Sequence, residues 1–234
     1  MNRITSILYT IFINLWGIII PIAYSWSFVN NSRKLADRGA RNWSRFAIYI
    51  LRKLCKIDYR ILGKENLPQT PFIIACKHQS MWETVVFNIL FPAPALAYKK
   101  ELLRVPFYGW FLRNMSGIAV DRDGGMKAMK HLISESKKFL SNNQVIVIFP
   151  QGTRVPVGAS TKDYPYQPGI AAIYSACKVP VVPVALDSGK FWPKSGVKTP
   201  GTITLKYLPP INPGLSKDEF MQKLEEEIEG KITN

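Results

Sequence analysis

The sequence predicts an α/β fold, a central mixed and mostly parallel sheet flanked by helices, with a membrane-associated helical pair at the N-terminus. Three observations carry that expectation. Short continuous apolar runs, Pro71–Cys76, Val145–Phe149 and Val179–Leu186, have the pattern of strands buried on both faces. Segments of helical length and periodicity separate them. Residues 4–29 carry no formal charge and lead straight into a basic block. The expected division is residues 1–56 as membrane-anchoring helices and 57–234 as the α/β domain.

The N-terminal apolar run, if helical, is about 39 Å long at ~1.5 Å per residue, enough to cross a ~30 Å hydrocarbon core. Asn14, Gly17 and Pro21 interrupt it, which permits a kinked span or a helix set shallowly in one leaflet. A signal peptide and a buried core helix are the competing readings, but no small-x-small cleavage site follows the run. Behind it come Arg33, Lys34, Arg38, Arg41, Arg45, Arg52, Lys53, Lys56 and Arg60, opposed only by Asp37 and Asp58. Basic residues directly after an apolar segment fit the cytoplasmic face of a membrane. Trp43, Phe46, Ala47, Tyr49, Ile50, Leu51 and Leu54 add an apolar stripe at roughly helical spacing.

Further along, Asp58–Leu62 reads as a short strand and Val85–Leu90 as a helix after the run that ends at Cys76. Ala95–Tyr98 and Ser116–Arg122 are the next strands. Gly124 and Gly125 open an amphipathic helix to about Leu140. Gly169–Lys178 reads as a helix. In Val179–Leu186, Pro180 and Pro183 mark a strand end or bulge. Thr202–Tyr207 alternates like a strand nearer the sheet edge, and Ser216 caps a last helix running to Glu229.

The 234 residues carry a formal net charge of +15 with 47% apolar residues, so the chain is globular and suited to an anionic partner. Nucleic acid, an anionic membrane and phosphorylated substrates are the candidates, and no nucleic-acid motif is present. Cys55, Cys76 and Cys177 are scattered in apolar contexts, which argues against a disulfide framework or a structural zinc site.

The stretch Lys77-His78-Gln79-Ser80-Met81-Trp82-Glu83 sits where a strand gives way to a helix, a place that often carries chemistry in α/β proteins. Histidine is suited to removing a hydroxyl proton at neutral pH, and a carboxylate on its other nitrogen fixes the tautomer. The same spacing makes Ser80 and Glu83 a helix capping box, which explains the glutamate equally well. Pro150-Gln151-Gly152-Thr153-Arg154 follows a buried strand. Its glycine lets backbone amides approach an anion, and its arginine offers a fork to phosphate. Lys99, Lys100 and Arg122 stand at other predicted strand ends and, with Arg154, suggest a phosphate-binding rim. Cys76 could serve as a nucleophile beside His78, though an apolar strand cysteine is more often inert core. His131 reads as a partly buried helix residue.

Taken in order, these blocks resemble the glycerolipid acyltransferases, specifically the bacterial lysophosphatidic acid acyltransferases. The family's His-x4-Asp block is similar to His78–Glu83. Its Asp-Arg block is similar to Gly117–Arg122, its Pro-Glu-Gly-Thr-Arg block to Pro150–Arg154, and its proline-rich apolar block to Val179–Leu186. The resemblance covers about residues 60–195. It implies the glycerol-3-phosphate acyltransferase-like fold and acyl transfer from acyl-CoA or acyl carrier protein to the sn-2 hydroxyl of 1-acyl-sn-glycerol 3-phosphate. It implies His78 and Glu83 as the catalytic pair, and Lys99, Arg122, Gln151, Gly152, Thr153 and Arg154 as substrate-binding residues. It further implies no cofactor and no metal, membrane lipids as partners, and residence at a bacterial inner membrane with the site on the cytoplasmic side. Two positions depart from the family: Glu83 replaces aspartate and Gln151 replaces glutamate. The alternatives are a related acceptor, such as glycerol 3-phosphate, another lysophospholipid or a lyso-aminolipid, or a non-enzymatic basic module binding a membrane or nucleic acid.

Overall fold

In a computed structural model, which describes residues 2–230, the chain opens with α1 (Asn2–Ala23), a short α2 (Trp26–Val29) and α3 (Arg33–Cys55). There follow β1 (Ile57–Leu62), β2 (Ile73–Cys76), α4 (Trp82–Leu90), β3 (Ala95–Lys99), α5 (Tyr108–Asn114), β4 (Gly117–Val120) and α6 (Gly125–Ser141). The chain continues through β5 (Ile146–Ile148), α7 (Gly169–Cys177), β6 (Val181–Leu186), α8 (Ser188–Phe191), β7 (Gly201–Tyr207) and α9 (Lys217–Gly230).

One seven-stranded sheet runs β1-β7-β6-β2-β5-β3-β4. Every pairing is parallel except β6 with β7, so the sheet is mixed and mostly parallel, as expected. Alternation along β2 shows how it is filled. Ile74 and Cys76 enter one core with Leu51, Trp82 and Phe87, whereas Ile73 and Ala75 enter the other with Phe139, Ile170 and Phe220. Both faces are covered by helices, which is why these strands read as unbroken apolar runs. Pro183 lies between the Val181–Ile211 bridge and the antiparallel ladder that starts at Val184–Tyr207, a break where no ladder donor is needed. β7 lies second from the edge, beside β1.

The N-terminal helices share the first of these cores. Tyr9 and Ile13 of α1, and Ala47, Leu51 and Cys55 of α3, are buried with Val182, Leu205 and Trp192. A fully buried large side chain is worth about 1.5–3 kcal/mol, so α3 contributes to the fold rather than merely tethering it. On α3 the exposed Arg33, Lys34, Arg38, Arg45, Arg52 and Lys53 lie opposite the buried Ala36, Ala40, Ala47 and Leu51. On α1 the outward face is apolar: Ile4, Ile7, Leu8, Ile11, Leu15, Ile18, Ile19 and Ile22 are all exposed. Their spacing places them on one side of the helix.

Candidate active site

Strands β6, β2, β5, β3 and β4 are mutually parallel, so their carboxyl ends meet along one edge of the sheet. In open α/β sheets this edge is where ligands bind. It carries His78 after β2, Lys99 at the end of β3, Arg122 after β4, Gly152–Arg154 after β5 and Ser188 after β6.

His78 and Glu83 meet. His78 Nδ1 lies 3.0 Å from Glu83 Oε1, and the carboxylate is wholly buried. The same oxygen accepts the backbone N–H groups of Gln79 at 2.5 Å and Ser80 at 2.6 Å. Oε2 accepts the Ser188 hydroxyl at 2.8 Å. The carboxylate therefore collects donors only, which assigns the proton on His78 to Nδ1. Nε2, on the other edge of the ring, is left with its lone pair on the cavity side. The imidazole stacks on Phe149, ring centres 4.2 Å apart, which fixes its plane.

Helix α4 begins one residue later than a capping box headed by Ser80 would place it. Met81 is the N-cap, and Ser80 Oγ accepts from Trp82 N at 3.1 Å instead of from Glu83 N. The glutamate nonetheless satisfies the Ser80 amide. One carboxylate thus satisfies the Ser80 amide and holds the imidazole, while the serine's half of the capping box does not form.

A cavity of about 830 Å³ opens in front of the imidazole. His78, Lys99, Arg122, Gln151, Gly152, Thr153 and Arg154 all line it, so the expected site residues converge on one space with Glu83 behind His78. Gly152 has φ +65°, a conformation that favours glycine, and the Arg122 guanidinium packs over it. Arg122 and Gly152 come from different strand ends, so this contact joins two of the sequence blocks. A third is joined where Val155 N donates to the His78 carbonyl at 2.8 Å. Lys100, by contrast, pairs with Asp121 at 3.0 Å and holds that exposed carboxyl below its usual range. Lys99, Arg122 and Arg154 have no carboxylate within ion-pair distance among the described residues. Deeper in, the wall is apolar, with Ala97, Val120, Met129, Leu132, Ile148 and Ile170.

The thiol of Cys76 is buried beneath α4 and does not line the cavity. Burial, and secondarily the Glu83 charge, push its pKa well above the usual thiol range, the opposite of what a nucleophile needs. His131 is exposed on α6, not partly buried, and lies outside the cavity lining. Ser188 and Gln79 were missed by sequence reasoning. Gln79 supplies its amide to Glu83 and its side-chain carbonyl to Gly189 N at 3.3 Å, which locks α8 onto the motif. The available signal was position: Ser188 stands two residues beyond an apolar strand, at the same edge as the other strand-end residues.

A histidine backed by a buried carboxylate, at the carboxyl edge of a parallel sheet and beside unpaired cations, suits group transfer to or from an anionic molecule. Comparison of sequences agrees: the acyltransferase family model matches residues 58–187, and the chain belongs to that family. A 1-acyl-sn-glycerol-3-phosphate acyltransferase from Pseudomonas aeruginosa is 39% identical over 74% of this chain and 66% of its own length. One from Saccharomyces cerevisiae is 29% identical over 79% of this chain and 63% of its own. The chain thus spans a little under two thirds of the length of these curated relatives. The crystal structure of the 1-acyl-sn-glycerophosphate acyltransferase from Thermotoga maritima superposes with a TM-score of 0.74 at 25% identity, covering 97% of this chain and 94% of that one.

Proposed function

We propose that this chain transfers a fatty acyl group from a thioester to the sn-2 hydroxyl of 1-acyl-sn-glycerol 3-phosphate, forming phosphatidic acid. The observation that carries the reading is the 3.0 Å contact of His78 Nδ1 with the buried Glu83. It leaves Nε2 free to take a proton at the mouth of a cavity whose rim is cationic and whose depth is apolar. Lys99, Arg122 and Arg154 bind the acceptor's phosphate, while Gly152 and Thr153 shape that site. Gln151 is neutral and does not repel the phosphate. The apolar wall takes an acyl chain.

As the sn-2 oxygen attacks the thioester carbonyl, its proton passes to His78 Nε2. Glu83 stabilises the resulting imidazolium. The tetrahedral intermediate collapses, the C–S bond breaks, and the imidazolium returns the proton to the departing thiolate. No acyl-enzyme is required. General base catalysis supplies about 10²–10⁴-fold, and holding both substrates in place supplies much of the remainder. Coenzyme A and acyl carrier protein are both anionic, so the +15 charge suits either donor.

The exposed apolar face of α1 supports membrane attachment. Its opposite face is packed on α3 and on Trp192, which Tyr9 meets edge-on at 5.2 Å. A helix held to the domain in this way lies along a leaflet rather than spanning it. The basic face of α3 favours the cytoplasmic side.

The test is phosphatidic acid formation by the purified full chain from lysophosphatidic acid and oleoyl-CoA or oleoyl carrier protein, with glycerol 3-phosphate and lysophosphatidylethanolamine as competing acceptors. Lysophosphatidic acid should be used best, and His78→Ala should abolish its use. Undiminished turnover by the alanine variant would remove His78 as the base. Preference for another acceptor would reassign the substrate.

A further inference from the structure

A second basic pocket lies apart from the catalytic cavity, between the first turns of α1 and the segment joining α8 to β7. It holds about 350 Å³ and is lined by Arg3, Ser6, Thr10 and Lys198, with Ile7 and Ile11 beside them. Lys198 is only 7% exposed. Its ammonium donates to Thr10 Oγ1 at 3.2 Å and sits over the rings of Tyr9, at 5.1 Å, and Trp192, at 5.3 Å. Its backbone N–H donates to Ser6 Oγ at 2.9 Å. No carboxylate reaches it among the described residues. Burial pulls its pKa below the usual lysine value. Buried lysines are almost always paired with an anion, and here a second cation, Arg3, stands at the same pocket. The missing partner is therefore negative.

Its surroundings define what kind of anion. Ile7 and Ile11 are 59% and 53% exposed and belong to the apolar outward face of α1. A ligand whose charge meets Lys198 has its remainder laid along that face. We propose that Arg3, Ser6, Thr10 and Lys198 form a binding site for the headgroup phosphate of an anionic phospholipid, separate from the acceptor site of the catalytic cavity. The phosphate oxygens accept from the lysine and the arginine; the two hydroxyls, whose protons go to the carbonyls of Asn2 and Ser6, hold Lys198 in place, and the acyl chains lie beside Ile7 and Ile11.

The site is wired to the catalytic cavity through one segment. Trp192, over which Lys198 sits, follows α8 directly, and α8 begins with the Ser188 that holds Glu83. Lys194, in the same segment, lines the catalytic cavity. A phosphate at Lys198 therefore steadies the segment that supports the buried carboxylate.

The experiment is calorimetric titration of the detergent-solubilised full chain with dihexanoyl phosphatidylglycerol, dihexanoyl phosphatidylcholine and sodium phosphate. Phosphatidylglycerol should bind saturably at one site. The Arg3→Gln/Lys198→Gln double variant should weaken it at least about tenfold, as expected for lost charge-assisted hydrogen bonds. Arg3→Gln alone, at an exposed position, should lower affinity without touching the core, and Lys198→Arg should retain binding. Lys217→Gln, a surface charge on α9, should change nothing. Arg154→Gln should also leave this binding intact, so the outcome is independent of the acyltransfer reading. Equal affinity in the Arg3 and Lys198 variants, or equal affinity for phosphatidylcholine, would overturn the site. Phosphate binding as tightly as phosphatidylglycerol would overturn the lipid as its ligand.

Discussion

The tetrapeptide pattern Ser-x-x-Glu occurs at the start of two helices and is used in two ways. At Ser216-Lys217-Asp218-Glu219 both halves of a capping box form: Ser216 N donates to Glu219 Oε2 at 2.9 Å and Glu219 N to Ser216 Oγ at 3.3 Å. Both residues are exposed. At Ser80-Met81-Trp82-Glu83 only the carboxylate's half survives. The serine hydroxyl serves Trp82, and the glutamate, fully buried, also takes Gln79 N, Ser188 Oγ and His78 Nδ1. Water completes the hydration of Glu219, whereas Glu83 must find every partner in the protein. Burial, rather than local sequence, converts a helix cap into a support for a histidine.

The largest effect that could break this comparison is at Glu83 itself. Glu83→Gln keeps the shape but turns one acceptor oxygen into a donor that faces other donors. Activity should fall about 10²–10⁴-fold through loss of His78 support. Stability should drop by about 1–3 kcal/mol from donors left unmet. Turnover assays and urea unfolding check both. Glu219→Gln should leave kcat unchanged and stability nearly so. Comparable effects at the two glutamates would show that Glu83 only caps.

Two smaller changes divide Glu83's roles. Ser188→Ala removes one donor without touching the His78 contact, and about tenfold in kcat with little change in KM is expected, at roughly 1 kcal/mol of stability. Glu83→Asp retains the charge, but its shorter reach cannot serve Ser188 and His78 together. It should therefore resemble Ser188→Ala, and full activity in the aspartate variant would make the Ser188 bond dispensable. Cys76→Ala should retain most activity, because the thiol is held protonated in the core; acyl-enzyme trapping in the parent and loss of turnover in this variant would contradict that.

Strands and most helices were legible because both-face burial and helical spacing leave periodic signals in Ile73–Cys76, Ile146–Ile148 and Gly125–Ser141. That the expected residues would line one cavity was legible because strand ends put side chains at fixed places. What tertiary packing decides was not. Ser188 reaches Glu83 across 105 positions of sequence. The burial of Cys76 away from the cavity depends on which core its side chain enters. The union of Tyr9 with Trp192 cannot be seen in a run that reads equally as a membrane span. Helix α5 left no clear sequence pattern, for it is short and its outward residues Tyr108 and Trp110 are as apolar as its buried Phe111.

Acid provides the mildest separation of the two boxes. The Glu219 carboxyl is held below its ordinary value of 4.5 by hydrogen bonds from Ser216. A depressed folded pKa means that the cap contributes fully above the unfolded value. Its contribution then fades as pH falls through the folded value. Protection of the Ser216 amide against hydrogen exchange should therefore fade only at pH values below the carboxyl's ordinary range and become independent of pH in Glu219→Gln. The Ser80 amide belongs to a residue with no exposed surface, so its exchange requires the surrounding structure to open and its protection should persist while the sheet stays folded. If both amides lost protection together at the pH where Ser216 does, burial would not distinguish the two carboxylates and the comparison would fail.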